Sequence, residues 1–223
     1  MREANEDAIS ARSVGDHLVF GIADGLGGHA RGEVASGIAI AELEGIDAPA
    51  LSSSDPELLI LGVFAEANLE IVRYNREHGT NAGTTLTACI VSPEGVCTIG
   101  NLGDSRAYLI DEESCWHTRD HSYVQQLIDA GHLTEEAAIR HPQSHIITRA
   151  LGLERGCVPD ITGMDAAGMV LVLTSDGIHD FIEPAVFREL ALTPGNREAA
   201  LAILDAATSG GSTDNLSVIV CRL

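Results

Sequence analysis

The 223-residue sequence predicts an α+β fold, and three observations carry that reading. Apolar, strand-sized runs cluster at 84–91, 96–101 and 106–111, while helical periodicity comes in neighbouring pairs. Strands and helices therefore do not alternate as a doubly wound parallel sheet requires. The stretch NLGDS (101–105) between two of these runs reads as a hairpin turn, which makes at least that pair antiparallel. No linker or long repeat divides the chain, so residues 1–223 are expected to form one domain, a length that allows a substantial buried core.

Taken in order, the first strand is expected at 17–23 (HLVFGIA), an apolar run that ends in Asp24 and then breaks into glycines. A helix follows over 33–45, with Val34, Ile38 and Ala41 on one face and Gly45 as its stop. A longer helix within 54–79 has an Asp cap, Pro56 in its first turn and Gly79 as terminator. Ser52, Ser53 and Ser54 before it read as plain loop. Strands at 84–91, 96–101 and 106–111 come next, the first partly alternating as a half-buried strand does. Tyr108 and Trp116 read as sheet packing. Shorter helices are expected at 122–130 and 134–140, a strand at 169–174, a helix at 196–208 ending in Gly210-Gly211, and a last strand at 216–222.

Composition narrows the function. A formal net charge of −20 argues against nucleic-acid and anionic-membrane partners, because like charges repel. The sequence contains no lysine, which excludes a P-loop lysine, a Schiff-base lysine and a Ser-Lys dyad. Five cysteines (Cys89, Cys97, Cys115, Cys157 and Cys221) show no C-x-x-C spacing, and the polar N-terminal stretch is unlike a targeting peptide. Reduced thiols and a cytoplasmic location are expected. The apolar run 169–173 is strand-sized, far short of a membrane span.

The glycines of 25–30 formally match G-x-G-x-x-A, a dinucleotide fingerprint, with Glu42 or Glu44 near the ribose-binding distance. Against it, Asp24 would repel a pyrophosphate, and the surrounding βαβ context is missing. The aspartates give a better account. Asp176-Gly177 repeats the pattern of an apolar strand followed by Asp-Gly, Asp104 follows a strand and Gly103, and Asp214 lies just before a strand. Glu6 and Asp7 add two more acids near a strand edge. Each Asp-Gly alone reads as a turn. As a set, acids brought together without lysines need cations between them, and carboxylate, carbonyl and water ligands suit Mg²⁺ or Mn²⁺.

The stretches REANED (2–7), ADGLGGHARGEVAS (23–36), AGTTLTA (82–88), GNLGDSRAYL (100–109), TRDHS (118–122), ITRALG (147–152), TSDGIHD (174–180) and STDNLSVIV (212–220) together resemble the metal-dependent Ser/Thr protein phosphatases of the protein phosphatase 2C (PPM) family, in their compact bacterial form. The resemblance implies a four-layer α-β-β-α sandwich of two antiparallel sheets flanked by helices. It implies two Mn²⁺ or Mg²⁺ ions, and a third. Asp24 would bridge two metals, the Gly25 carbonyl would bind the second, and Asp176 and Asp214 would complete the first. Glu6 would contact the second metal directly or through water, Asp7 would hold metal-bound waters, and Asp104 with Asp176 would form the third site. Arg2 aligns with the arginine that grips the substrate phosphate, although the strand that usually precedes its motif is nearly absent.

The implied reaction is hydrolysis of phosphoserine or phosphothreonine in proteins by a water bridging two ions, without a phosphoenzyme. The implied partners are phosphoprotein substrates and an opposing Ser/Thr kinase, the enzyme acting as a monomer. Leu26 departs from the pattern: bacterial relatives commonly carry Met there, and eukaryotic members a histidine proposed as general acid, whereas leucine cannot donate a proton. His29, His121 and His179 fall within the matching stretches and read as structural. Residues 129–152 look like the family's flap, with His132, His141 and His145 as loop polar groups. A binding module that has lost catalysis is the alternative, against which the intact Asp24, Asp176 and Asp214 argue.

Overall fold

The computed structural model describes residues 4–26, 31–138, 141–153 and 158–223. Two antiparallel sheets stack face to face. The first has the path β1 (Asp7–Val14), β2 (His17–Leu26), β4 (Leu86–Val91), β5 (Val96–Leu102), β8 (Asp160–Asp165), with the short β3 (Gly83–Thr84) pairing the far end of β2. The second runs β10 (Val218–Arg222), β9 (Val170–Thr174), β6 (Arg106–Ile110), β7 (Cys115–His117).

Period-2 alternation sorts the side chains into three apolar layers. Phe20, Ile22, Cys89 and Ile99 of the first sheet meet Leu109, Leu171, Leu173 and Ile219 of the second. The opposite face of the first sheet, with Val19, Leu86, Ala88 and Ile90, is covered by α1 (Gly32–Glu44) and α3 (Pro56–His78). The outer face of the second, with Tyr108, Ile110, Val170 and Val172, packs on α6 (Asp176–His179), α7 (Pro184–Ala191) and α8 (Asn196–Ser209). The four-layer α-β-β-α order is thus present. The remaining helices are α2 (Ala48–Ser53), α4 (Tyr123–Asp129) and α5 (Glu135–Ala138). Among the described residues no helix is long and apolar enough to cross a membrane.

Helix α3 follows its punctuation: Asp55 accepts a capping bond from the Glu57 N–H, Pro56 opens the first turn, and Gly79 ends it in the left-handed region at φ 66°. Four expectations need correction. First, 101–105 is no hairpin, because β5 and β6 belong to different sheets and the turn carries the chain from one to the other. Glycine at φ +113° and an Asp-Ser pair serve such a crossing as readily as a hairpin. Second, α1 buries Ala35, Ser36, Ala39, Ile40 and Leu43 rather than the Val34, Ile38 and Ala41 face. Small residues allow close approach to β2, where a Cβ on Gly21 would collide with the Leu43 side chain. Third, Ser52 and Ser53 lie in α2, their hydroxyls bonded back to the Ala48 and Pro49 carbonyls at 2.8 Å. Fourth, β2 does not break after Asp24 but continues through Gly25 to Leu26.

Candidate metal centre

Backbone pairing brings the acids together at one edge of the sandwich. In the β1–β2 register Asp7 stands directly opposite Asp24. The Asp24 backbone is locked from the other side: its N–H donates to Thr85 Oγ1 at 2.9 Å, and its carbonyl accepts from the Thr85 N–H and the Thr84 hydroxyl, each at 2.9 Å. Thr85 Oγ1 lies 2.8 Å from Ser105 Oγ, which links the Asp24 strand to the turn that bears Asp104.

Asp176 opens α6 directly after β9. Ser175 before it donates its hydroxyl to Asp7 Oδ2 at 3.0 Å and accepts the Ser217 N–H at 3.2 Å. Gly177 is required at its position because a side chain there would strike the Asn215 carbonyl. That contact seats Asp214-Asn215 against Asp176. Asn215 in turn accepts the Glu6 N–H at 2.9 Å and donates to the Ala4 carbonyl at 3.3 Å, fastening the segment before β1 to the approach to β10.

Gly25 lies in a space that excludes any side chain. A Cβ there would collide with the Gly32 carbonyl group and come within 2.6 Å of the Glu6 carbonyl. A Cβ on Gly32 would meet Glu6 Oε1 and the Gly25 carbonyl, each at 2.8 Å. The Glu6 side chain, the Gly25 carbonyl and the first residue of α1 therefore share one cradle. Gly25 N–H donates to the Glu6 carbonyl at 3.1 Å, which also accepts the Ser36 hydroxyl at 2.6 Å.

The electrostatics are those of crowded acids. Burial pushes the Asp24 carboxyl up to about 10, reinforced by the charges of Asp176, Asp7 and Asp104. Burial also raises Asp7 and Asp176, in both cases against hydrogen bonds that favour the charged form. Asp104, 7% exposed, is held well above the usual carboxylate range by burial and by the Asp176 charge. One oxygen each of Asp7 and Asp104 is buried without a hydrogen-bond partner. The Asp24 and Asp176 carboxyls act on each other directly, the Asp176 charge being the largest of those that raise Asp24. Among the described residues no three acids, histidines or cysteines already close on a single ion. The donor set nevertheless fits divalent cations: it is all oxygen, rich in acceptors and short of protons, and cations would satisfy the orphaned oxygens and offset the crowded negative charge.

The structure thus gathers Asp7, Asp24, Asp104, Asp176 and Asp214, with Glu6 and the Gly25 carbonyl alongside. Arg2, Gly27, Gly28, His29, Ala30 and Cys157 lie outside the described residues. The dinucleotide reading loses its context, because the strands beside β2 are all antiparallel to it. His179 is a buried side chain whose Nδ1 lies 2.9 Å from Thr174 Oγ1. Sequence reasoning passed over Thr85, Ser175 and Asn215, which position acids without being acids. Their only signal was a place inside the matching stretches.

A family model described as protein phosphatase 2C matches residues 2–201. The serine/threonine protein phosphatase PstP of Mycobacterium tuberculosis is 36% identical over 224 residues, covering 99% of this chain and 42% of that protein. The chain therefore spans less than half of that relative's length. The serine/threonine phosphatase stp of Listeria innocua is 34% identical over 207 residues, covering 89% of this chain and 82% of its own. Among solved structures, the catalytic domain of PstP in complex with two manganese ions superposes with a TM-score of 0.86 at 32% identity, covering all of this chain and 93% of that one.

Proposed function

The chain belongs to the protein phosphatase 2C family, and from that premise we propose that it hydrolyses phosphoserine and phosphothreonine in proteins with the help of Mn²⁺ or Mg²⁺. The observation that carries the proposal is the convergence of five aspartates, among which burial, reinforced by the charges of Asp176, Asp7 and Asp104, drives Asp24 up to about 10. Such a set serves cations, not an anionic cofactor.

In this reading Asp24, Asp176 and Asp214 would hold one ion, Asp24 with the Gly25 carbonyl and Glu6 a second, and Asp104 with Asp176 a third. When bound, such ions supply a water activated for in-line attack and neutralise charge on the phosphoryl group. The protein's own contribution is placement. Thr85 fixes Asp24 along the strand, Ser175 fixes Asp7, and Asn215 fixes Glu6. Asp7 has one oxygen held by Ser175 and the other without a partner, so it can orient water in the site. Arg2 grips the substrate phosphate with a charge that no lysine of this chain could replace. Leu26 carries no proton, so the leaving serine or threonine receives its proton from water. The flap, residues 129–152, borders the cleft beside Asp104 and Asp176 and contacts the substrate protein. That cleft is about 500 Å³; Ala138 and Ser144 of the flap line it, together with Gln125 and Ile128 of α4. The enzyme acts as a monomer in the cytoplasm, opposing a Ser/Thr kinase, in keeping with the free thiols of Cys89, Cys97, Cys115 and Cys221.

The test is hydrolysis of a phosphothreonine peptide with Mn²⁺, with and without chelator. Metal-dependent release of phosphate that vanishes in Asp24→Asn is the expected result. A folded protein silent with every divalent ion would overturn the proposal and favour a binding module.

A further inference from the structure

The turn that bears Asp104 crosses between the sheets, so no ladder holds it. Both polar backbone groups of Gly103 go instead to one side chain's residue. The Gly103 N–H donates to His121 Nδ1 at 3.1 Å, and the Gly103 carbonyl accepts the His121 N–H at 2.8 Å. The turn has little other freedom: Gly103 sits at φ +113°, and a Cβ there would come within 2.5 Å of Thr85 Cγ2. An N–H can only donate, so Nδ1 is an acceptor and the ring proton of neutral His121 sits on Nε2. It faces Asp160 Oδ2 at 3.1 Å, on the neighbouring strand β8.

His121 itself is 6% exposed and is gripped from the flap side as well. Its carbonyl accepts both the N–H and the hydroxyl of Thr148, at 2.7 and 3.0 Å. Arg149, next in sequence, donates to Asp160 Oδ1 at 2.9 Å. Its Nη1 also stands 2.7 Å from His121 Nε2, but with the ring proton on Nε2 both are N–H donors, so the hydrogen bond there goes to Asp160 and not to Arg149. One histidine therefore joins three things: the Asp104 turn, the chain returning from 129–152, and the edge strand of the first sheet.

We propose that His121 is a positioning residue for Asp104. Its Nδ1 and backbone N–H set the Gly103-Asp104 turn, and Arg149 and Asp160 act on Asp104 only by orienting the imidazole. The effect on turnover rests on the phosphatase reading above, whereas the effect on the turn does not.

Two substitutions separate the ring's two nitrogens. His121→Asn places an amide oxygen where Nδ1 stands and keeps the acceptor for Gly103. His121→Gln reaches toward the Nε2 position and abandons it. The measurements are amide hydrogen exchange at Gly103 in the metal-free protein, and kcat and KM for p-nitrophenyl phosphate with Mn²⁺. His121→Gln is expected to speed Gly103 exchange and to lower kcat, each about tenfold, the loss of roughly one hydrogen bond, with KM little changed. His121→Asn is expected to recover most of both losses. Equal Gly103 exchange in the two folded variants would overturn the proposal. Should His121→Gln fail to fold, Asp160→Asn takes its place: faster Gly103 exchange supports the proposal, and unchanged exchange refutes it. A wild type without Mn²⁺-dependent hydrolysis would remove the phosphatase reading and leave the exchange result to decide on His121.

Discussion

Asp24→Asn should make the metal-free protein more stable while destroying its activity. The isosteric amide removes a carboxyl that the fold drives from its ordinary 3.8 up to about 10. Between those values the folded protein holds a proton that the unfolded chain has released. Stability of the wild type in chelator therefore falls as pH rises from about 4 to about 10, by at most about 1.4 kcal/mol per pH unit. Neutral pH lies about three pH units above 3.8, which sets a ceiling of about 4 kcal/mol. The interaction with Asp176 and the bonds an amide must remake reduce the expected gain to about 2 kcal/mol, or roughly 4–8 °C in Tm for a domain of this size. The assay is thermal unfolding in chelator from pH 5 to 9, repeated with Mn²⁺. The wild type should gain far more from Mn²⁺ than the variant. A variant no more stable than wild type in chelator, or one with the same dependence on pH, would refute the idea that repulsion among these acids is relieved by cations.

Three further outcomes are expected. Gly25→Ala forces a methyl into the Gly32 carbonyl and should cost about 1–3 kcal/mol by overpacking, together with most of the activity, read by unfolding and phosphate release. Thr85→Val strands the Asp24 N–H and breaks the link to Ser105, costing about 1–3 kcal/mol, whereas Thr85→Ser should recover most of the loss in the same unfolding experiment. Asp104→Asn should still bind two Mn²⁺ by calorimetry but turn over more slowly; full activity at limiting Mn²⁺ would count against a third ion.

Legibility of the fold followed burial. β9 and β10 are apolar runs, and α3 carries a cap, a proline and a terminal glycine, so their positions could be read from residue type. β1 and β8 are edge strands with many polar, partly or fully exposed residues (Arg12 and Ser13; Asp160, Thr162 and Asp165), and no apolar run announced them. The face of α1 was misjudged because alanines and a serine, not its largest residues, do the packing. The crossing at 101–105 was misread because turn chemistry reports a change of direction and not which sheet receives the chain. The acids of the centre were legible as residues placed near strand ends. Their assembly was not, since it depends on the Asp7–Asp24 register and on contacts such as Glu6–Asn215 that only the folded chain brings together.

Those last contacts also set a schedule. Glu6 and Asn215 are separated by 209 residues, and Ser175 joins Asp7 across 168. Loops of that length close late, after local helices and adjacent strands have formed. During synthesis most of the first sheet can pair before β10 has left the ribosome, yet Asp214 is still missing. A nascent chain therefore lacks the full set of acids until nearly all of these residues have been made. The centre is completed only when the two distant segments meet.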